Sequence, residues 1–233
     1  ALIGPDNSPD LIDNYLKTHF PDYLFVSSVV TKAGDELVKT NDGYYRMFPF
    51  IANSHTIDVI EKPQQAYEAA KQFGKFTRLL SGLGATQLKI TLPDFHSLKL
   101  RYQQFELALE TGNPERIEQS KDLIVVIKQN KRIADEYEIC KEKFTVRVTH
   151  HDTKISNVLF DEADKGLCVI DLDTVMPGYF ISDVGDMMRT YLCPASEEEK
   201  DFSKIIIRKE FYEAIVSGYL SEMGGDLTGI EKQ

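Results

Sequence analysis

The sequence predicts an α+β fold: a short β-rich part, then a longer and mainly helical part. Three observations carry this. Runs of Val, Phe and Tyr broken by turn residues fill residues 24–51, apolar residues recur at helical spacing from residue 63, and short β-forming runs return over 144–176.

The elements follow in order. Residues 8–19, SPDLIDNYLKTH, predict a helix with Ser8 as N-cap, Pro9 at the first helical position and Asp10 near the positive end of the dipole. Leu11, Ile12, Tyr15 and Leu16 form its apolar face, and Phe20-Pro21 ends it. Residues 24–51 read as antiparallel strands separated by AGDE and NDG, with Pro49 marking an edge or a strand end. From Pro63, apolar residues at 66, 69, 70, 73, 76, 79 and 80 predict a helix stopped by Gly82 and Gly84. HSLKLRYQQFELALETG is a second helix of this part, and NPERIEQSKDLIVVIKQNKRIADEYEI a third, started by Asn113-Pro114. Strands are expected at 144–149, at NVLFD and along GLCVIDLDTVM. ISDVGDMMRTYL opens a helix capped by Ser182 or Asp183, and residues 203–221 are helical again. The texture changes over residues 52–62, which places a hinge there and divides the chain into 1–52 and 53–233.

Composition narrows the function. A net charge of −10 argues against a nucleic-acid partner, because phosphate backbones are met by clustered Lys and Arg. The same charge makes a divalent cation a sensible mediator for an anionic substrate. No apolar run is long enough for a membrane span. Cys140, Cys168 and Cys193 are widely spaced and odd in number, so they read as buried thiols of a cytoplasmic protein.

The chemistry concentrates in THHDTKISNVLF, residues 149–160. Asp152 and Asn157 are followed by a strand, a turn and a second strand that ends on Asp171, with Asp173 just beyond. A hairpin of this kind returns Asp171 to the loop that holds Asp152 and Asn157. A carboxylate without a neighbouring cation can accept a proton, and an Asn oxygen with a second carboxylate suits Mg2+. Phosphoryl transfer needs such a set: a base for the acceptor hydroxyl and a metal for the moving phosphates. A lone Asp in a loop is more often a cap or turn residue, and it is the joint spacing that carries the functional reading. An HD-type phosphohydrolase fits poorly, because HHD lies between strands and the other histidines lack a matching context. A zinc site from Cys140, His150 and His151 is weaker still, since adjacent histidines do not spread to a tetrahedron.

The order H-x-D-x-x-x-x-N, then I-D-L-D, matches a kinase catalytic loop and its metal-binding aspartate. The protein-kinase D-F-G is absent. With I-D-L-D in its place, the chain resembles the aminoglycoside phosphotransferase and choline kinase superfamily. Within it, HHDTKISNVLFD, CVIDLDTVMPG and ISDVGDMMR look most like the bacterial N-acetylhexosamine 1-kinases, as do DGYYRMFPFI and PQQAYEAAKQFGKF.

The resemblance implies a protein-kinase-like two-lobe fold with an incomplete N-terminal β lobe. It implies ATP and Mg2+ as cofactors and a small-molecule acceptor, an amino sugar first and choline, homoserine or an aminoglycoside otherwise. Asp152 would be the base, Asn157 and Asp171 the metal ligands, and Lys154 a neutralising cation for the γ-phosphate. Asp173 would contact sugar or a second metal, His150 would brace the loop, and Asp183 would hold the loop backbone. Arg189 would be a structural ion-pair partner. Phe48, Pro49, Phe50 and Ile51 would be the hinge that pairs with adenine. No G-x-G-x-x-G and no strand lysine precede the first helix, which offers only Asp10 and Asp13 as acids for such a lysine. The missing strands would precede residue 1 and further helices would follow residue 233. A chain limited to these residues would bind ATP poorly, or serve as a kinase-derived binding module.

Overall fold

A computed structural model describes residues 9–195 and 199–233. The first predicted helix is α1 (Pro9–His19), opened by Pro9. Its expected cap, Ser8, lies outside the described residues. Ile12 and Leu16, one turn apart, are buried, and Leu11 and Tyr15 pack beside them. Lys17 pairs with Asp13 along the helix at 2.5 Å.

The β-rich part pairs less than its composition predicts. A hairpin forms at the NDG turn, from β1 (Val38–Thr40) and β2 (Gly43–Tyr45), with Thr40 opposite Gly43. Residues 24–31 and 46–51 form no ladder, and the Val29 amide donating to the Met47 carbonyl at 2.7 Å is their link. β propensity expresses packing on a half-buried surface, and strands need partners. Val26 is buried, but Val29, Val30 and Met47 are exposed, so that surface ends before the two segments could pair along their length.

From residue 63 the helical reading holds. In α2 (Pro63–Leu79) the predicted stripe of Ala66, Ala69, Ala70, Phe73, Phe76 and Leu79, with Leu80 just past the end, is buried throughout. The Gln65 side chain reaches back to the amides of Glu61 and Lys62, satisfying donors at the helix start.

The chain divides into two compact units. One runs to Thr91 and resumes over Val146–Leu227; the other comprises Leu92–Thr145 and Thr228–Gln233. The second unit holds α3 (Leu98–Thr111), capped by Ser97, and α4 (Pro114–Gln119), capped by Asn113. The helix expected to run on from Asn113 is three helices: α4, α5 (Lys121–Gln129) and α6 (Lys131–Lys141). The breaks fall at Ser120 and Asn130, which both leave helical geometry. Such side chains compete for backbone groups, and the Asn130 amide does so by donating to the Val126 carbonyl at 2.8 Å.

The first unit resumes with β3 (Arg147–Thr149), β4 (Val158–Phe160), β5 (Gly166–Val169) and β6 (Met176–Gly178). β4 and β5 form the expected hairpin, Val158 opposite Val169. The single strand expected over GLCVIDLDTVM is broken. Asp171 adopts left-handed geometry (φ 59°), a 3-10 turn spans Leu172–Thr174, and β6 pairs instead with β3. A strand cannot continue through such a residue, and Asp is among the few side chains that tolerate it.

Helix α7 (Phe180–Tyr191) starts after Tyr179, so neither Ser182 nor Asp183 caps it. Helix α8 (Lys209–Met223) starts later than expected: residues 203–208 hold one 3-10 turn and then non-helical chain. Ile205, Ile206 and Ile207 are β-branched neighbours that lose side-chain freedom in a helix. α8 packs on α2, and its buried face is Phe211, Ile215, Tyr219 and Met223. The helices approach closely because Gly218 faces the Tyr67 carbonyl and Gly74 the Tyr219 carbonyl; a Cβ at either would collide with backbone. Arg78 and Glu222 close the pair at 2.7 Å. Of the cysteines, Cys168 alone is buried, its thiol pushed up to about 12 by burial, whereas Cys140 is exposed and Cys193 half-buried. No helix among the described residues is long and apolar enough to cross a membrane.

Candidate active site

β3 delivers the chain to residue 150, and the loop from His150 to Asn157 crosses to β4. The His150 ring is fully buried, edge-on to Phe73 at 5.1 Å and Phe76 at 6.2 Å. Its Nε2 lies 2.9 Å from the Ile170 carbonyl, which can only accept, so Nε2 carries the proton. Burial holds this imidazole below its ordinary pKa, against the pull of Asp183 and its other acidic neighbours. His150 thus joins the loop to the strand end before Asp171 and takes no part at the surface. His151 is left-handed (φ 69°), with Nε2 2.8 Å from Thr149 Oγ1, and its ring lies where a Cβ on Gly178 would be. Both imidazoles are occupied inside the loop.

Helix α7 holds the loop backbone. The two oxygens of Asp183 accept the amides of His150 (3.0 Å) and His151 (2.8 Å). Asp183 is fully buried, and burial raises its pKa although the two amides and His150 work the other way. Asp186, one turn on, accepts the Thr153 amide at 2.7 Å, and the Tyr191 hydroxyl donates to the Thr153 carbonyl at 2.5 Å. Arg189 pairs with Asp186 at 2.8 Å, the structural ion pair expected of it. The parts played by Asp186 and Tyr191 were not foreseen. The spacing of ISDVGD carries the signal for Asp186, since acids three apart share a helix face.

Asp152 sits half-buried on this scaffold. The Asn157 side-chain amide nitrogen donates to the Asp152 backbone carbonyl (2.9 Å) and to Oδ2 (3.1 Å), which leaves the Asn157 side-chain Oδ1 for another partner. Lys154 Nζ lies 3.3 Å from Asp152 Oδ1. Asp152 therefore does have a cation beside it, contrary to expectation. Lys154 is exposed on a flexible stem, and surface pairs of this kind are weak enough for an incoming anion to displace.

Asp171 returns to the loop as the hairpin predicts. The Ile170 amide donates to the Asn157 carbonyl at 2.8 Å, extending the β4–β5 pairing and setting Asp171 one residue beyond Asn157's partner. Asp171 is exposed and left-handed. Asp173 meets a partner that the sequence reading missed: Arg46 Nη2 donates to both its oxygens, at 2.7 and 2.9 Å. A lone arginine within the apolar run YYRMFPF was the available signal.

A cleft of about 550 Å3 opens beside these acids, lined by Phe48, Phe50, Ile51, Arg46, Asp171 and Asp173 among others. That size and its largely apolar wall are those of a small-molecule pocket. The Ile51 carbonyl accepts from Ser54 Oγ at 2.8 Å. Among the described residues no group of three or more His, Cys, Asp and Glu is placed to hold a metal. Asn157 and Asp171 would supply two hard oxygen ligands, a set suited to a Mg2+ that takes its remaining ligands from phosphate and water.

A sequence model of the phosphotransferase enzyme family (APH) matches residues 20–225. Among solved structures, an aminoglycoside phosphotransferase from Alicyclobacillus acidocaldarius matches with a TM-score of 0.59 at 14% identity, over 91% of this chain and 62% of that one. Amicoumacin kinase in complex with AMP-PNP, Ca2+ and Ami matches with a TM-score of 0.56 at 17% identity, over 91% and 60%. A microcompartment-associated aminopropanol kinase matches with a TM-score of 0.52 at 17% identity, over 97% and 68%. The chain thus spans less than two thirds of the first two structures, and the likeness lies in the fold.

Proposed function

The chain belongs to the phosphotransferase enzyme family, and from that premise we propose that it carries the catalytic loop and metal site of an ATP- and Mg2+-dependent small-molecule kinase. The observation that carries this reading is the cluster of Asp152 and Asn157, joined at 2.9 and 3.1 Å, with Asp171 brought beside them by the β4–β5 hairpin. Residues 1–52 are taken as part of the nucleotide-covering lobe and 53–233 as the catalytic lobe.

In this reading Asp152 accepts the acceptor's hydroxyl proton on Oδ1, as Lys154 leaves it for phosphate, while Asn157 fixes Oδ2. Positioning matters more than basicity here, because the transition state of phosphoryl transfer is loose. Bound Mg2+, held by the Asn157 oxygen and Asp171, would neutralise charge on the phosphates. The amides around Phe48, Phe50 and Ile51 pair with adenine, and the apolar wall excludes water from its faces. The acceptor is proposed to be an N-acetylhexosamine, phosphorylated at its anomeric hydroxyl. The resemblance of HHDTKISNVLFD and CVIDLDTVMPG to that kinase group supports this choice.

The test is ADP release with ATP and Mg2+ against a panel of N-acetylhexosamines, choline, homoserine, aminopropanol and aminoglycosides. Release with N-acetylhexosamines is expected, and Asp152→Asn should lower it by about 10²–10⁴-fold while ADP affinity holds within a few-fold. Release with another acceptor alone would reassign the substrate. An Asp152→Asn variant with wild-type kcat would remove the base assignment.

A further inference from the structure

The contact between Arg46 and Asp173 joins positions 127 residues apart. Arg46 stands two residues before Phe48, and Asp173 two residues after Asp171. One side chain therefore connects the segment assigned to the base with the segment assigned to the metal. We propose that Arg46 is a positioning residue that couples nucleotide-base binding at residues 48–51 to metal–phosphate binding at Asp171. This goes beyond the kinase reading and rests on it for the identity of the cleft's ligand.

Asp171 needs such an anchor. It is exposed and left-handed, and the chain on its far side is a single 3-10 turn, Leu172–Thr174. Before it, the Ile170 amide is tied to Asn157. After it, two contacts fix the turn: Thr174 Oγ1 donates to the His150 carbonyl at 2.6 Å, and Asp173 receives Arg46. The first ties the turn to the catalytic loop, and the second reaches the proposed hinge.

The same guanidinium is also placed for coupling. Its guanidinium lies 5.4 Å from the centre of the Phe48 ring, within cation–π range. A base settling against Phe48 therefore presses on the group that holds Asp173. Charge acts in the same direction. Asp171 and Asp173 line one cleft, and an uncompensated Asp173 would add a second anion facing the phosphates. Arg46 neutralises it and leaves Asp171 as the carboxylate offered to the cation. Both partners are partly exposed, 21% and 29%, so the pair adds little to folding, and its effect falls on the site.

The test is ADP binding by calorimetry, with and without Mg2+, on the full chain. Mg2+ should tighten ADP in the wild type. Arg46→Gln, which keeps the stem and removes the charge, should reduce that tightening by about tenfold, in the range of ordinary coupling between sites. ADP affinity without Mg2+ should change by less than about threefold, because the base is met by backbone. Arg46→Lys should restore part of the loss, and Arg46→Gln with Asp173→Asn should be no worse than Arg46→Gln alone, as expected for two partners in one contact. Urea unfolding of each variant checks that the fold is retained, with Arg46→Met as the replacement should Arg46→Gln not fold. Tightening by Mg2+ that stays within twofold of wild type, or losses that multiply in the double variant, would overturn the coupling and leave the kinase reading intact. A wild type that binds no ADP with or without Mg2+ would remove both.

Discussion

Asp183→Ala tests whether α7 builds the candidate site. The carboxylate is fully buried and accepts two backbone amides, at 3.0 and 2.8 Å, from His150 and His151, themselves buried. Removing the acceptor orphans both donors, and each costs about 1–3 kcal/mol, so the gross loss is about 2–6 kcal/mol. Two effects reduce it. Burial works against this charge, as its raised pKa records, and the alanine no longer bears that penalty. The loop can also relax, since His151 is held left-handed in part by that bond. The expected net loss is about 2–4 kcal/mol, with Asp183→Asn about half of that because one oxygen still accepts. Urea unfolding followed by far-UV circular dichroism and by tyrosine fluorescence measures this; the chain has no Trp. Coincident curves from the two probes would license one free energy for a chain of two units. A midpoint corresponding to a loss under about 0.5 kcal/mol would place Asp183 with ordinary surface positions and refute the reasoning.

Two further outcomes follow from the same structure. Gly218→Ala drives a Cβ into the Tyr67 carbonyl and should destabilise the α2–α8 contact by about 1–3 kcal/mol; an unchanged urea midpoint would mean that the helices part without cost. The His150 imidazole is held below its ordinary pKa by burial, so the unfolded chain takes up this proton first as pH falls. Stability is then present above about pH 6.5 and is lost below it, by up to about 1.4 kcal/mol per pH unit. His150→Gln should flatten the dependence of the urea midpoint on pH over that window, and parallel profiles for variant and wild type would reject the assignment.

What the sequence made legible was local. The α2 stripe was read residue by residue because helical spacing repeats every turn and each apolar position is buried. The NDG hairpin and the Asn113-Pro114 helix start follow from backbone preferences that need no distant partner. One hairpin carries Asp171 back toward the loop of Asp152 and Asn157, so their spacing in sequence was informative about local geometry. What failed depended on surroundings. Residues 24–31 have the composition of a strand, but a strand needs a neighbour, and the Val29–Met47 hydrogen bond is their link to residues 46–51. Asp171 interrupts an apolar run whose period shows no break. Arg46 and Asp173 meet across the whole fold, and nothing near either names the other. The standing of Lys154 changed for the same reason: its ion pair with Asp152 depends on how the loop folds back, which spacing alone does not fix.

The fastening of the His150–Asn157 loop to α7 has a consequence for how the molecule breathes. Surface loops ordinarily open by local fluctuations far cheaper than global unfolding. Here Asp183, Asp186 and Tyr191 reach the loop at His150, His151 and Thr153, and Tyr191 is itself buried in the core. Were α7 to lift and free those amides, Met187 and Tyr191 would be exposed as well. The loop and the helix are therefore expected to open together, so that the lifetime of the loop's geometry depends on α7. Substitutions on the buried face of α7 would reach the chemistry by shortening that lifetime.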